Sequence, residues 1–324
     1  MNIAFLGAGR IAHVLAKTMV QMPDVTLYAV AARDLGRAES FAAEYGFTKA
    51  YGSYTEMLRD PNVELVYIAT PHSHHFEHMK LCIVHGKNVL CEKAFTLNAP
   101  QAREIKALAN AKGVYVAEAI WTRYMPSRQI INEVLASGIV GKITTMTCNL
   151  SYPVTYKERI VRPELAGGAL LDVGIYGLNF ALMHFGDDFE RMDSSVRFTD
   201  TGVDAQETIT LHYPDGKMAV ITAGVLARGD RKGIFYGEKG YIIVENINNP
   251  QSVSAFDLTD TLLERFEVPQ QISGYEYEIR EAMSCIRSGQ LEANSMTLAE
   301  SIQVMELMDR LRKNWGLVYP MEKA

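Results

Sequence analysis

Residues 2–12 read Asn2-Ile3-Ala4-Phe5-Leu6 and then Gly7-Ala8-Gly9-Arg10-Ile11-Ala12. A short apolar run of this kind reads as a buried strand. Ile11, Val14, Leu15, Thr18 and Met19 then follow at helical spacing. The turn between them is a GxGxxA. Its first glycine permits a tight turn, its second lets the backbone approach a pyrophosphate, and the small Ala12 lets helix pack closely on strand. The helix N-terminus then faces the anion with unpaired N–H groups. A glycine turn can also serve packing alone. Its position at the first strand–helix junction of an alternating pattern points instead to dinucleotide binding.

The alternation continues. Residues 25–32 (VTLYAVAA), 65–70 (LVYIAT) and 89–91 (VLC) read as strands, with helical patterns at 37–45, 74–85 and 100–112. This implies an α/β Rossmann domain, a doubly wound parallel sheet covered on both faces. After residue 120 the rhythm changes. Residues 143–152, 207–213, 217–225, 233–236 and 241–245 read as strands joined by short polar turns. Helical patterns at 169–184 and 275–288 are expected to cover them, with a last amphipathic helix at 298–315. The second part is therefore expected to be an α+β domain with a largely antiparallel sheet. A length of 324 residues suits two domains, placed at 1–120 and 121–324.

Charge narrows the partners. Net charge is −6, from 32 Lys+Arg against 38 Asp+Glu. That gives no electrostatic footprint for nucleic acid or an anionic membrane. No apolar run is expected to reach bilayer-spanning length. Met1 leads straight into the first strand, so no secretory leader is expected. Cys82, Cys91, Cys148 and Cys285 show no CxxC spacing and read as reduced, buried thiols of a cytoplasmic protein.

Charge at the end of the second strand bears on the cofactor. An acid about 20 residues past the glycines would hold a ribose 2′-hydroxyl. Here the sequence is Ala31-Ala32-Arg33-Asp34, with Arg37 one helical turn on. A guanidinium can pair with a 2′-phosphate, so Arg33 and Arg37 point to NADP. NAD stays possible if Asp34 takes the ribose.

Ligands of open α/β sheets lie outside the carboxyl ends of the strands. Thr70-Pro71-His72-Ser73-His74-His75 and Glu92-Lys93 occupy two such ends. The cofactor-contacting residues are thus expected to be Gly7, Gly9, Arg10, Ile11, Arg33, Arg37, Thr70, Pro71, His72, His75, Glu92 and Lys93. His74 and His78 are expected on a helix surface. The histidines lack a carboxylate or cysteine at ligand spacing, and no metal is expected. Further on, Gly167-Gly168 precedes Asp172 and Tyr176, which share a helix face at i, i+4. A phenol near the Lys93 ammonium suits general acid–base work, because a cation favours the phenolate. A half-buried tyrosine bonded to a carboxylate would look the same in sequence.

With these residues assembled, the chain resembles the Gfo/Idh/MocA oxidoreductases, and among them the dihydrodiol dehydrogenase and NADP-dependent xylose dehydrogenase branch. The resemblance covers nearly the whole chain. It rests on GAGRIA at 7–12, AARD at 31–34, TPHSHH at 70–75, GKNVLCEKA at 86–94, EAIWTRYMP at 118–126 and GGALLDVGIYGL at 167–178. It implies Lys93, Asp172 and Tyr176 as catalytic residues, and Trp121 and Arg123, with Asp172 and Tyr176, beside the substrate. It also implies an open-faced second sheet, often used for dimerisation, and hence a homodimer or higher homo-oligomer. The implied substrate is a small hydroxyl-bearing molecule: a sugar, polyol or trans-dihydrodiol. A non-catalytic dinucleotide sensor of the same fold is the alternative; the joint presence of Lys93, Asp172 and Tyr176 speaks against it. The family motif EKP becomes Glu92-Lys93-Ala94 here. The family proline follows a cis bond, so either the Lys93–Ala94 bond is also cis or the loop is trans and Lys93 shifts.

Overall fold

The structure, a computed structural model, describes residues 1–322. The chain forms two compact units, one of residues 1–121 with 271–306, the other of 122–270 with residues from 307 on.

In the first unit the elements alternate as β1 (Asn2–Leu6), α1 (Arg10–Met19), β2 (Thr26–Ala31), α2 (Leu35–Tyr45), β3 (Lys49–Tyr51), α3 (Tyr54–Arg59), β4 (Leu65–Ile68), α4 (His75–Val84), β5 (Asn88–Glu92), α5 (Ala99–Lys112) and β6 (Val116–Ala119). The strands form one sheet in the order β3-β2-β1-β4-β5-β6. Every pairing in it is parallel. Strands β4 and β6 are buried along their whole length, as sheets covered on both faces require. The chain order reverses across β1 and β4, which places their carboxyl ends at the topological switch point where such sheets bind ligands.

The second unit contains α6 (Pro126–Ala136), β7 (Ile143–Ser151), α7 (Glu158–Val161) and α8 (Ile175–Phe185). After these come β8 (Arg191–Phe198), β9 (Asp204–His212), β10 (Met218–Gly224), β11 (Gly233–Gly237), β12 (Gly240–Val244), β13 (Ser252–Asp257) and β14 (Leu262–Glu267). Its sheet runs β14-β13-β12-β11-β7-β10-β9-β8, antiparallel except where β10 pairs with β7. Alternate residues of β7, Met146, Cys148 and Leu150, are buried. Helix α8 lies over this face, its Phe180 ring 5.5 Å from Phe235 of β11.

Three expectations are corrected. Helix α9 (Glu276–Arg287) was expected on the second sheet, but residues 271–306 belong to the first unit. They are tied there by Thr18 to Ser273, by Val116 N–H to Leu291 O, and by Trp121 stacked on Tyr275. The second domain is therefore not the continuous 121–324. Third, Pro163–Phe185 does have the length and apolar composition of a membrane span. Its most apolar stretch is 94% buried in the structure, as the core helix of a folded unit is. The four cysteines are free and buried, as expected.

Candidate active site

The β1–α1 turn carries Gly7 at φ +104°, a conformation that L side chains rarely adopt, and a Cβ there would sit 3.0 Å from Ala69 O. Gly9 begins α1 with no side-chain cap. The result is a bare backbone cradle at an uncapped helix N-terminus, the shape a pyrophosphate fits. Arg10 is exposed at its rim and Ile11 half-buried. Arg37 braces the cradle from below: its Nε and Nη2 donate to Ala8 O at 3.2 and 2.8 Å.

Arg33 is exposed just past β2. Its charge acts on Tyr54, His74 and His78. Asp34 caps α2, accepting from Arg37 N–H at 2.8 Å. His78 does not lie on a solvated surface: its ring packs edge-on against Tyr54, and its Nδ1 meets Thr70 Oγ1 at 3.0 Å. Burial, with the neighbouring His74 charge, pushes His78 down to about 4. His74 also packs against His78, 5.6 Å between ring centroids.

At the ends of β4 and β5 two turns are stitched together by His75. Its ring is fully buried, with Nδ1 2.7 Å from Ala94 O and Nε2 2.9 Å from Thr70 O. It therefore shapes the backbone of Thr70-Pro71 and Ala94. His72 packs edge-on to it with centroids 5.7 Å apart. The Lys93–Ala94 peptide is cis, which decides between the two alternatives at position 94. Just beyond, Phe95 N–H donates to the buried Glu118 at 3.1 Å.

The sequence reading missed a buried acid cluster under this turn. Tyr67 donates to Glu92 Oε1 at 2.5 Å, and the wholly buried Glu278 lies beside both. Burial, and then the charge of Glu92, raises the Glu278 carboxyl well above its ordinary range.

In the second unit, Asp172 lies in a π-helical turn, Leu170–Gly174, that runs into α8. The Ile175 N–H reaches Leu170 O, five residues back. Such turns cluster at functional sites. Tyr176 follows in the first turn of α8 and is 8% exposed. The Asp172 carboxylate is held by Arg159 of α7, a residue no sequence signal marked. Gly167 and Gly168 let this region close: Gly168 N–H donates to Ile160 O at 2.9 Å, and Tyr319 donates to Gly167 O at 3.0 Å.

Of the residues implied for substrate, Trp121 has one ring face covered by Tyr275, 4.0 Å away and near parallel at 4°. Arg123 is 4% exposed and donates from Nε to Asn179 Oδ1 at 2.8 Å. Asn179 in turn donates to Ile175 O, so Arg123 anchors α8 one turn beyond Tyr176.

Known proteins align with this description. Residues 1–119 match the oxidoreductase family with an NAD-binding Rossmann fold, and residues 129–243 match the GFO/IDH/MocA C-terminal domain. The mouse trans-1,2-dihydrobenzene-1,2-diol dehydrogenase is 34% identical, with 98% of each chain covered. The pig enzyme of that name is 36% identical over 91% of this chain and 90% of its own. Among solved structures, a 3-ketoreductase from Actinomadura kijaniata with NADP and TDP-benzene has TM-score 0.87 at 24% identity, covering 97% of both chains. An aldose-aldose oxidoreductase from Caulobacter crescentus has TM-score 0.87 at 19% identity, covering 98% of this chain and 99% of its own. On this evidence the chain belongs to the Gfo/Idh/MocA oxidoreductase family.

Proposed function

We propose that the protein is an NADP-dependent dehydrogenase that reversibly oxidises a secondary alcohol or cyclic hemiacetal of a sugar, polyol or trans-dihydrodiol. The observation that carries this is the π turn, which presents an arginine-bound Asp172 one turn before Tyr176. The relatives' name, trans-1,2-dihydrobenzene-1,2-diol dehydrogenase, favours a trans-dihydrodiol within that class.

The cradle Gly7–Ala12 would hold the pyrophosphate, with Arg10 and Ile11 at its edge. Arg33 would take the 2′-phosphate, since Asp34 is engaged as a helix cap. Thr70, Pro71, His72, Glu92 and Lys93 would border the nicotinamide end, with His75 holding their backbone. When bound, NADP supplies the hydride acceptor or donor. In the oxidative direction Tyr176 Oη takes the proton from the substrate hydroxyl. Lys93, which the family resemblance implies as catalytic, would supply a positive charge of the kind that favours an ionised phenol. Asp172 accepts a hydrogen bond from a neighbouring substrate hydroxyl, its other lone pairs occupied by Arg159. Trp121 and Arg123 frame the substrate side.

The test is NADP⁺ reduction, followed by absorbance, against aldoses, polyols and trans-1,2-dihydrobenzene-1,2-diol, with NAD⁺ in parallel. Turnover with NADP⁺ in preference to NAD⁺ is expected. A protein that binds NADPH but is silent on every member overturns the dehydrogenase reading. Tyr176→Phe is expected to cut kcat steeply and leave NADPH binding intact.

A cytoplasmic homodimer is part of the same proposal. Four free cysteines suit a reducing compartment. Opposite α8, the second sheet presents the half-exposed Thr145, Thr147, Val220 and Thr222 as a contact face. Light scattering that gives a monomer mass would refute the dimer.

A further inference from the structure

Beneath the π turn lie two carboxyl groups that the proposed chemistry does not use. Asp204 and Glu207 both belong to β9, and both are buried, at 0% and 1% exposure. Asp204 Oδ2 accepts from Leu170 N–H at 2.5 Å, so a side chain from a strand caps the turn that carries Asp172. A carboxylate is favoured there by the helix N-terminus. Glu207 sits at the other end of the same turn. A Cβ on Gly174 would fall 2.2 Å from Glu207 Oε1, and a Cβ on Gly168 would fall 2.1 Å from Asp204 Oδ1. The two acids thus touch both ends of Leu170–Gly174.

Their hydrogen bonding does not close if both are ionised. Asp204 Oδ1 and both Glu207 oxygens then have no donor among the described residues. Two adjacent buried carboxylates would also repel in a medium that screens poorly. A single proton removes the repulsion and pairs two of these three oxygens. Burial raises the Asp204 carboxyl to about 6, but the backbone N–H groups it accepts hold it down against that, a support Glu207 lacks. The proton therefore belongs on Glu207, whose O–H then donates to Asp204.

We infer that Glu207 is a positioning residue: protonated and hydrogen-bonded to Asp204, it fixes the π turn that presents Asp172 and Tyr176. This rests on the reading that those two residues carry the proton transfer. Glu207 itself touches no substrate. Its role is to keep Asp204 aimed at Leu170 N–H and to seat Gly174 against its own oxygen.

The experiment compares Glu207→Gln, which keeps an uncharged donor to Asp204, with Glu207→Leu, which keeps bulk and removes the donor. Infrared difference spectra of each variant against the parent at neutral pH read the proton directly. Both variants are expected to lose the carbonyl stretch of a protonated carboxyl and no carboxylate band. Loss of a carboxylate band instead overturns the inference. Steady-state turnover of trans-1,2-dihydrobenzene-1,2-diol with NADP⁺ reads positioning. Glu207→Leu is expected to lower kcat at least about tenfold with NADPH affinity unchanged, and Glu207→Gln to restore kcat to within about threefold of the parent. Parent-like kcat in Glu207→Leu, or equal loss in both variants, overturns it. Tyr176→Phe is run alongside. If that variant turns over normally, the catalytic reading fails on its own, and the infrared bands still decide where the proton lies.

Discussion

The Arg159 guanidinium grips the Asp172 carboxylate at both oxygens, Nη1 to Oδ1 at 2.8 Å and Nη2 to Oδ2 at 3.3 Å. The Asp172 side chain is 10% exposed and that of Arg159 41%. A planar fork fixes the carboxylate plane as well as its charge, which a lysine ammonium cannot do. Arg159→Ala is expected to lower kcat/KM about 10- to 100-fold, the worth of a charge-assisted pair at a reacting centre, with Arg159→Lys recovering only part. Cofactor binding should not change. Steady-state kinetics beside NADPH fluorescence titration separates the two quantities. Parent-like turnover in Arg159→Ala would reduce the pair to a surface contact.

Arg33 and Arg37 should behave differently, although the sequence groups them. The Arg37 guanidinium is engaged with Ala8 O under the glycine turn, while Arg33 is exposed at the end of β2. Arg37→Ala loosens the pyrophosphate cradle and should weaken NADPH and NADH alike. Arg33→Ala should weaken NADPH about 10- to 100-fold and NADH by less than about threefold, as expected when a charged partner of a phosphate is lost. Equal losses of both cofactors in Arg33→Ala would remove Arg33 from the 2′-phosphate.

His75 makes stability depend on pH. Burial pushes its imidazole down from 6.5 to about 4. The native ring stays neutral between those values while the unfolded ring binds a proton. Its contribution is therefore fully present above pH 6.5 and is lost as pH falls towards 4. The shift corresponds to about 3 kcal/mol. Urea unfolding of parent and His75→Gln from pH 7 to 4 should give a shallower acid slope for the variant, whatever its stability at neutral pH. Parallel slopes would show that His75 does not carry this term.

How far the sequence reaches can be followed residue by residue. The glycine turn and the central strands are legible because each is a local pattern: glycine chemistry and apolar runs. The i, i+4 spacing of Asp172 and Tyr176 could not show that Asp172 lies in a π turn ahead of α8. Strand β3 is only Lys49–Tyr51, and no residue of β8 or β14 is fully buried, so none carries the continuous apolar run of a core strand. The return of residues 271–306 to the first unit rests on non-local contacts such as Trp121 on Tyr275, which no window of sequence contains. Arg159 gave no signal, since its partner is fixed by the loop between α7 and the π turn. Glu207 did give one. It shares period-2 parity with Ile209 and Leu211 on β9, a carboxyl on an apolar face.

Gly168 offers the most direct check on how this turn is built, with Gly46 as its control. Both have positive φ, +120° and +77°, so alanine is strained at either position. At Gly46 a Cβ would meet nothing within 4 Å, and Gly46→Ala should cost only the conformational penalty, about 1–2 kcal/mol. At Gly168 the same Cβ would lie 2.1 Å from Oδ1 and 2.8 Å from Cγ of the fully buried Asp204. Gly168→Ala must therefore displace Asp204 from Leu170 N–H or shift the start of the turn, and it should cost at least about 2 kcal/mol more than Gly46→Ala. Denaturant unfolding of the two variants measures the difference. Turnover adds a second reading: Gly46→Ala, on the far end of α2, should work at the parent rate, whereas any folded Gly168→Ala should be slow because Asp172 moves with the turn. Equal stabilities for the two variants would mean that Asp204 yields easily, and that the π turn is held by something other than the acids beneath it.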